Sequence, residues 1–191
     1  MDSSHHGRIL LINGASSSGK SSIALALLPL MPDPWFYFPV DALGAMRSTA
    51  QTSRLMDGQA ADILRRTRLG YHRAVAGLAS AGNDVVMDYP LSEAWRLTDL
   101  LKVLDGFDVT LVEVWCDPNE LSRRELARGD RPRGLARSQE QQVYAVGDSD
   151  IRVDSTASSA QACAEQIRAQ LPRLHRRKAF DRLLAGYDAA R

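Results

Sequence analysis

The sequence predicts an α/β fold: a parallel five-stranded sheet flanked by helices, in a single domain. Apolar runs at 8–12, 35–40, 84–87, 109–115 and, more briefly, 151–153 alternate with longer stretches of helical periodicity. Parallel neighbours need a crossover, and the crossover is usually a helix, so this alternation indicates a parallel sheet. The 191 residues, 45% hydrophobic, suffice for one substantial core and are few for two enzymatic domains. No repeat or linker divides residues 1–191.

The strand at 8–12 runs directly into GASSSGKS at 14–21. Gly14, Gly19, Lys20 and Ser21 fill every fixed position of the phosphate-binding signature G-x-x-x-x-G-K-[ST], and a helix is expected over 19–28. In such a P-loop, successive N–H groups, here along Ser16, Ser17, Ser18, Gly19 and on to Ser22, cradle phosphate beside a positive helix terminus. Lys20 neutralises the β and γ oxygens of ATP, and the Ser21 hydroxyl binds Mg²⁺. Only 3 of the 24 basic residues are lysines, so a lysine at this position is informative. A flexible Ser/Gly loop with a surface lysine leaves the strand–loop–helix context unexplained.

Pro29, Pro32 and Pro34 stop the first helix before the second strand at 35–40. Trp35, Phe36, Tyr37 and Phe38 alternate across that strand, most of them core and one or two edging a pocket. Asp41 follows it. Carboxyl ends of parallel strands line the ligand crevice, so Asp41 is placed to orient an acceptor hydroxyl and take its proton. Capping a helix from Ala42 onward is the structural alternative.

A long amphipathic helix over 59–81 ends at Gly82 and Asn83. The third strand, 84–87, leads to Asp88, which reads either as a carboxylate holding Mg²⁺, directly or through water, or as an ordinary strand-end turn residue. Ser92 reads as the N-cap of a helix over 93–104. After the fourth strand, 119–127 should be helical, but RGDRPRG at 128–134 cannot continue regularly through Pro132. It reads as the centre of an arginine-rich lid, about 124–137.

Among the lid arginines, Arg128 and Arg131 are taken to meet phosphate, with Arg131 stabilising the transferred group. Arg124, Arg133 and Arg137 read as solvated charge. A strand at 151–153, a helix over 158–171 and a further helix over 173–191 complete the chain. The spacing of Leu183, Leu184 and Tyr187 suits packing against the domain or against a second copy in a homo-oligomer.

The net charge of +1 gives no overall field for nucleic acid or an anionic membrane. The first eight residues lack a signal-peptide pattern and no apolar run is long enough to span a bilayer, so a cytoplasmic setting is expected. Cys116 and Cys163 are too few for a disulfide scaffold, a single bridge between them staying open, and Cys116, with no histidine near it in the sequence, reads as a buried structural cysteine. The histidines lack partners at zinc-ligand spacing.

Taken together, INGASSSGKSSI at 12–23, PWFYFPVDAL at 34–43, CD at 116–117, ARGDR at 127–131 and VDST at 153–156 resemble the chloramphenicol phosphotransferase family of antibiotic-resistance kinases. The resemblance covers about residues 8–171. It implies a nucleotide-kinase-like fold, ATP and Mg²⁺ as cofactors, Asp41 as the base that activates a drug hydroxyl, and Arg128 and Arg131 closing over the ATP phosphates. Departures are Tyr89, where a family member carries a second acidic residue, and Pro39 within the second strand.

The expected function is therefore ATP-dependent phosphorylation of a small-molecule hydroxyl, plausibly on an antibiotic. Two rivals stand beside it: a metabolic kinase acting on a nucleoside, sugar or shikimate-like acid, with arginines neutralising an anionic acceptor, and a nucleotide-dependent regulatory protein that transfers nothing.

Overall fold

The computed structural model describes residues 6–128, 134–174 and 177–189. In chain order the elements are β1 (Ile9–Asn13), α1 (Lys20–Leu27), β2 (Trp35–Pro39), α2 (Val40–Ala45), α3 (Thr49–Thr52), α4 (Asp57–Ser80) and β3 (Asp84–Asp88). Then follow α5 (Ala94–Val103), β4 (Val109–Trp115), α6 (Pro118–Arg128), α7 (Leu135–Tyr144), β5 (Ile151–Asp154), α8 (Ala160–Gln170) and α9 (Ala179–Ala189). The five strands form one parallel sheet in the order β2-β3-β1-β4-β5.

β1 is central and buried along its whole length, which is why its sequence is continuously apolar rather than alternating. Ile9 and Leu11 enter one core with Tyr71, Val75, Leu100 and Phe180 from α4, α5 and α9. Leu10 and Ile12 enter the other, with Ile23 and Leu27 of α1 and Cys163 and Ile167 of α8. From β1 the chain goes out to the edge at β2, returns to β3, then crosses β1 to reach β4. The reversal opens a crevice at the carboxyl end of β1, where ligands bind in open sheets.

Two local expectations are corrected. β2 ends at Pro39, one residue short of the expected strand, and Val40 begins α2, so Asp41 stands in the first turn of a helix. Pro39 is tolerated because β2 is an edge strand, where a missing ladder donor costs little. Ser92 does not cap α5: it is buried, and Glu93 is the N-cap. The Glu93 carboxylate is engaged instead by Arg96, whose Nε donates at 2.7 Å.

Helix α2 corresponds to the structural alternative at Asp41, a helix from Ala42 onward, and starts two residues earlier, while α3 and α7 lie outside the expected elements. α3 is a single short turn, and α7 (LARSQEQQVY) begins within the arginine-rich stretch read as a lid. The last helix begins at Ala179, later than 173, because Leu171–Arg173 forms a 3₁₀ turn containing Pro172.

Helix α9 packs against this domain. Phe180 is buried, and Leu183, Leu184 and Tyr187 lie against the same core. Lys178 anchors its start, donating to Asp108 and, at 2.8 Å, to Thr110 Oγ1, while the Ala179 N–H donates to Asp150 Oδ1 at 2.7 Å. Cys116 and Cys163 are buried free thiols. No helix among the described residues is long and apolar enough to cross a membrane.

Beneath α5, His72 is fully buried among the rings of Tyr71, Tyr89 and Trp95, with Nδ1 2.6 Å from Asp99 Oδ2. Burial lowers its pKa, outweighing Asp99, so the folded chain holds the imidazole neutral and Nδ1–H donates. Burial pushes the Asp99 carboxyl up, but bonds from Arg73 and His72 outweigh it and hold it below the usual range. Both folded values are depressed, so both contributions are present at higher pH. Stability is expected to fall below about pH 6.5, where His72 of the unfolded chain takes up a proton, and further below about pH 4 as Asp99 follows. Thermal unfolding at pH 7.5 and 5.5 checks this, with Tm dropping about 2–4 °C for each kcal/mol of linkage; an equal Tm would contradict it.

Candidate active site

The loop after β1 is held from both sides. Buried Asn13 accepts the Leu91 N–H at its Oδ1 (2.9 Å) and donates through Nδ2 to the Val143 carbonyl (2.9 Å), tying the strand end to the segment after β3 and to α7. At Gly14 a β-carbon would lie 2.7 Å from both the Val114 carbonyl oxygen and Ser18 Oγ, so only glycine fits without displacement. Ser17 (φ 63°) and Gly19 (φ 91°) are both left-handed, and Ser17 is the one non-glycine with positive φ among the described residues. Left-handed residues in such a loop gather N–H groups into an anion-binding nest at the start of α1.

Lys20 is largely buried, and its Nζ donates to the Ala15 carbonyl at 2.8 Å. The Ser16 N–H donates to Gln139 Oε1 of α7 at 3.2 Å. Ser155, just after β5, donates from Oγ to the Ser18 carbonyl at 2.7 Å. Arg124 of α6 ties the same region down, donating through Nη2 to the carbonyls of Ser155 (2.6 Å) and Thr156 (3.2 Å).

At the first turn of α1, Ser21 Oγ donates to Asp88 Oδ2 at 2.6 Å, and the Tyr37 hydroxyl donates to the same oxygen at 3.1 Å. Strand register makes this meeting possible, since Asp88 sits level with Ile12 of β1 on one side and Pro39 of β2 on the other. Burial first, then the Asp88 carboxylate, pushes the Tyr37 phenol up to about 12, which keeps it a donor at neutral pH. A hydroxyl and a carboxylate converging beside a phosphate nest are hard oxygen donors of the kind Mg²⁺ takes.

Two hollows flank the start of α1. One is a cleft of about 430 Å³ lined by Ser16, Lys20 and Ser21, by Tyr37 and Asp88, and by Asp41, Arg68 and Arg96. The other, about 400 Å³, lies between the loop and α6, bordered by Gly19, Ser22, Arg124, Ser155 and Ser158.

The structure thus gathers Gly14, Ser16, Ser17, Ser18, Gly19, Lys20, Ser21 and Ser22 into one loop, with Asp88 hydrogen-bonded to it and Asp41 lining the same cleft. Arg128 closes α6, its side chain outside what is described; Arg131 and residues 129–133 of the expected lid also lie outside the described residues. Tyr89, the departure from the family pattern, is fully buried core, under the Arg96 guanidinium 5.5 Å from its ring centre. Sequence reading did not single out Arg68, Arg96 or Gln139. Among 21 arginines, the two on α4 and α5 carry no local mark that separates them from solvated ones.

The sequence profile of the family described as chloramphenicol phosphotransferase-like protein matches residues 7–172. The chain belongs to that family. A Mycobacterium tuberculosis relative, provisionally named an O-phosphotransferase, is 28% identical over 200 residues, covering 93% of this chain and 88% of that one. Among solved structures, the M. tuberculosis APS kinase in complex with AMPPNP and APS superposes with TM-score 0.62 at 18% identity, covering 87% of this chain and 98% of that one. A gluconokinase from Sinorhizobium meliloti gives TM-score 0.59 at 20% identity, covering 90% and 94%. Those two likenesses establish the P-loop kinase fold. As a member of the chloramphenicol phosphotransferase-like family the chain is a phosphotransferase, and α9 lies beyond the matched region.

Proposed function

We propose that this family member transfers the γ-phosphoryl group of ATP to a hydroxyl of a small molecule, and that the acceptor is a hydroxylated natural-product antibiotic, inactivated by the transfer. The observation that carries the reading is the single cleft lined by the P-loop, Asp88 and Asp41 together. The second hollow, bordered by Gly19, Ser22 and Arg124, would hold the nucleoside, with the P-loop taking the phosphates.

In this reading Lys20 exchanges its bond to the Ala15 carbonyl for phosphate oxygens. The acceptor oxygen attacks phosphorus, the bond to the β–γ bridging oxygen breaks, and Asp41 takes the hydroxyl proton. Mg²⁺ held by Ser21 and Asp88 would neutralise charge on the β and γ oxygens. Arg128 and Arg131 add positive charge to the phosphates and help exclude water.

The reading is tested by ADP release with Mg²⁺·ATP against a panel of hydroxylated antibiotics, chloramphenicol included, with the phosphorylated product identified by mass spectrometry. Tight ATP binding with no phosphorylated product across the panel would overturn the antibiotic acceptor. The metal assignment has its own check. Asp88→Asn is expected to raise the Mg²⁺ concentration for half-maximal rate by about tenfold or more, and an unchanged requirement would remove Asp88 from the metal site. A second reading, an acidic metabolite as acceptor, is favoured by one observation: Arg68 and Arg96 border the cleft near Asp41.

A further inference from the structure

The acceptor end of the cleft is more cationic than transfer to a neutral alcohol requires. Arg68 of α4 and Arg96 of α5 both line it together with Asp41. Arg96 is nearly sealed, its side chain 6% exposed, and it is fixed and charge-paired by Nε (2.7 Å) and Nη2 both donating to Glu93 Oε2, with Nη1 donating to the Pro90 carbonyl (2.9 Å). Arg68 is not fixed in this way. It is half-buried, and its Nε is buried with no hydrogen-bond partner among the described residues.

Burial and, after it, the Arg96 cation both work against the charge on Arg68, and the carboxylates felt there, Glu93 and Asp41, only partly offset them. Glu93 is already engaged by Arg96. An adjoining hollow of about 350 Å³ repeats the pattern: Asp41 and Arg68 line it with Arg47, whose Nε is likewise buried and unpartnered while Nη1 donates to Thr67 Oγ1 at 2.8 Å. Holding half-buried guanidinium groups with donors unspent costs stability unless a ligand supplies the missing acceptor and negative charge. Guanidinium groups are suited to that ligand, because their fork matches the geometry of an oxyanion.

We infer that Arg68, backed by the Arg96–Glu93 pair, forms an oxyanion subsite for the acceptor, so that the molecule phosphorylated near Asp41 is a hydroxylated anion, bearing a carboxylate, sulfate or phosphate group, rather than a neutral alcohol. The inference rests on the phosphotransfer reading for what the subsite serves, but the subsite can be detected without turnover.

With the P-loop saturated by Mg²⁺ and AMPPNP, inorganic sulfate is titrated into the full chain by calorimetry. The wild type is expected to bind it, and Arg68→Gln to weaken binding by about tenfold or more. No sulfate binding, or equal binding by Arg68→Gln, overturns the subsite.

A turnover arm then compares gluconate and glucose 6-phosphate, which separate carboxylate from phosphate, with neutral glucitol and chloramphenicol. At least one anion is expected to exceed its neutral counterpart in kcat/KM by about tenfold. Arg68→Gln should erase that preference through the acceptor KM, with the KM for ATP moving less than twofold and Arg68→Lys restoring part of it. A shift in the KM for ATP instead would assign Arg68 to the nucleotide and overturn the inference. Chloramphenicol turned over best by wild type and by Arg68→Gln alike would also overturn it, leaving the phosphotransfer reading intact. Arg68-dependent sulfate binding with no acceptor phosphorylated would have the opposite meaning: the subsite stands and the phosphotransfer reading falls.

Discussion

Replacing Lys20 with methionine is expected to lower kcat/KM for phosphoryl transfer by about 10³-fold while the chain stays folded. The loop geometry gives the reason. Lys20 is largely buried at the start of α1, with its ammonium on the Ala15 carbonyl, inside the turn where the phosphates are to lie. Preorganised charge in a water-poor site acts on the transition state at little reorganisation cost, and deleting one such donor typically loses about 10²–10³-fold in rate. Methionine retains most of the apolar stem, whose Cγ runs close to Gly14, so packing is largely kept. The lost hydrogen bond to Ala15 costs about 1 kcal/mol. Steady-state kinetics together with thermal unfolding separate the two effects. A loss below tenfold, with Tm unchanged, would mean that Lys20 is not the phosphate ligand.

Asp41→Asn is the second large effect, an expected fall in kcat of about 10²–10⁴-fold with the KM for ATP unchanged. The substitution is close to isosteric at an exposed position in the first turn of α2, so folding should be little altered. It removes the proton acceptor proposed at the acceptor end of the cleft and leaves the P-loop, Ser21 and Asp88 intact. Wild-type turnover by Asp41→Asn on a verified acceptor would falsify the base assignment. A rise in the KM for ATP with kcat unchanged would move Asp41 to the nucleotide side.

The phosphate loop was legible because its chemistry is local. Gly14 is required by Ser18 Oγ, 2.7 Å from where its β-carbon would lie, Gly19 by its left-handed φ, and Lys20 and Ser21 by their place in the first turn of the following helix. Asp88 was legible as a strand end. What makes it more than that is the level at which β3 pairs with β1, which brings its carboxylate to Ser21. The α9 stripe was legible as apolar, but which surface it covers depended on Lys178 and Ala179 meeting Asp108, Thr110 and Asp150 far away in the chain.

By itself, then, the sequence determined the α/β class, the P-loop and the position of Asp41 just beyond β2, since each follows from apolar runs, steric demands and short-range order within a few residues. Only the tertiary structure decided that Tyr89 belongs to the core and that Arg68 and Arg96, on different helices, share a cleft with Asp41. An arginine on a solvated helix face and one turned into a cleft have the same local sequence signature. Their difference lies in burial and in unspent hydrogen-bond donors, which exist only once the helices are packed.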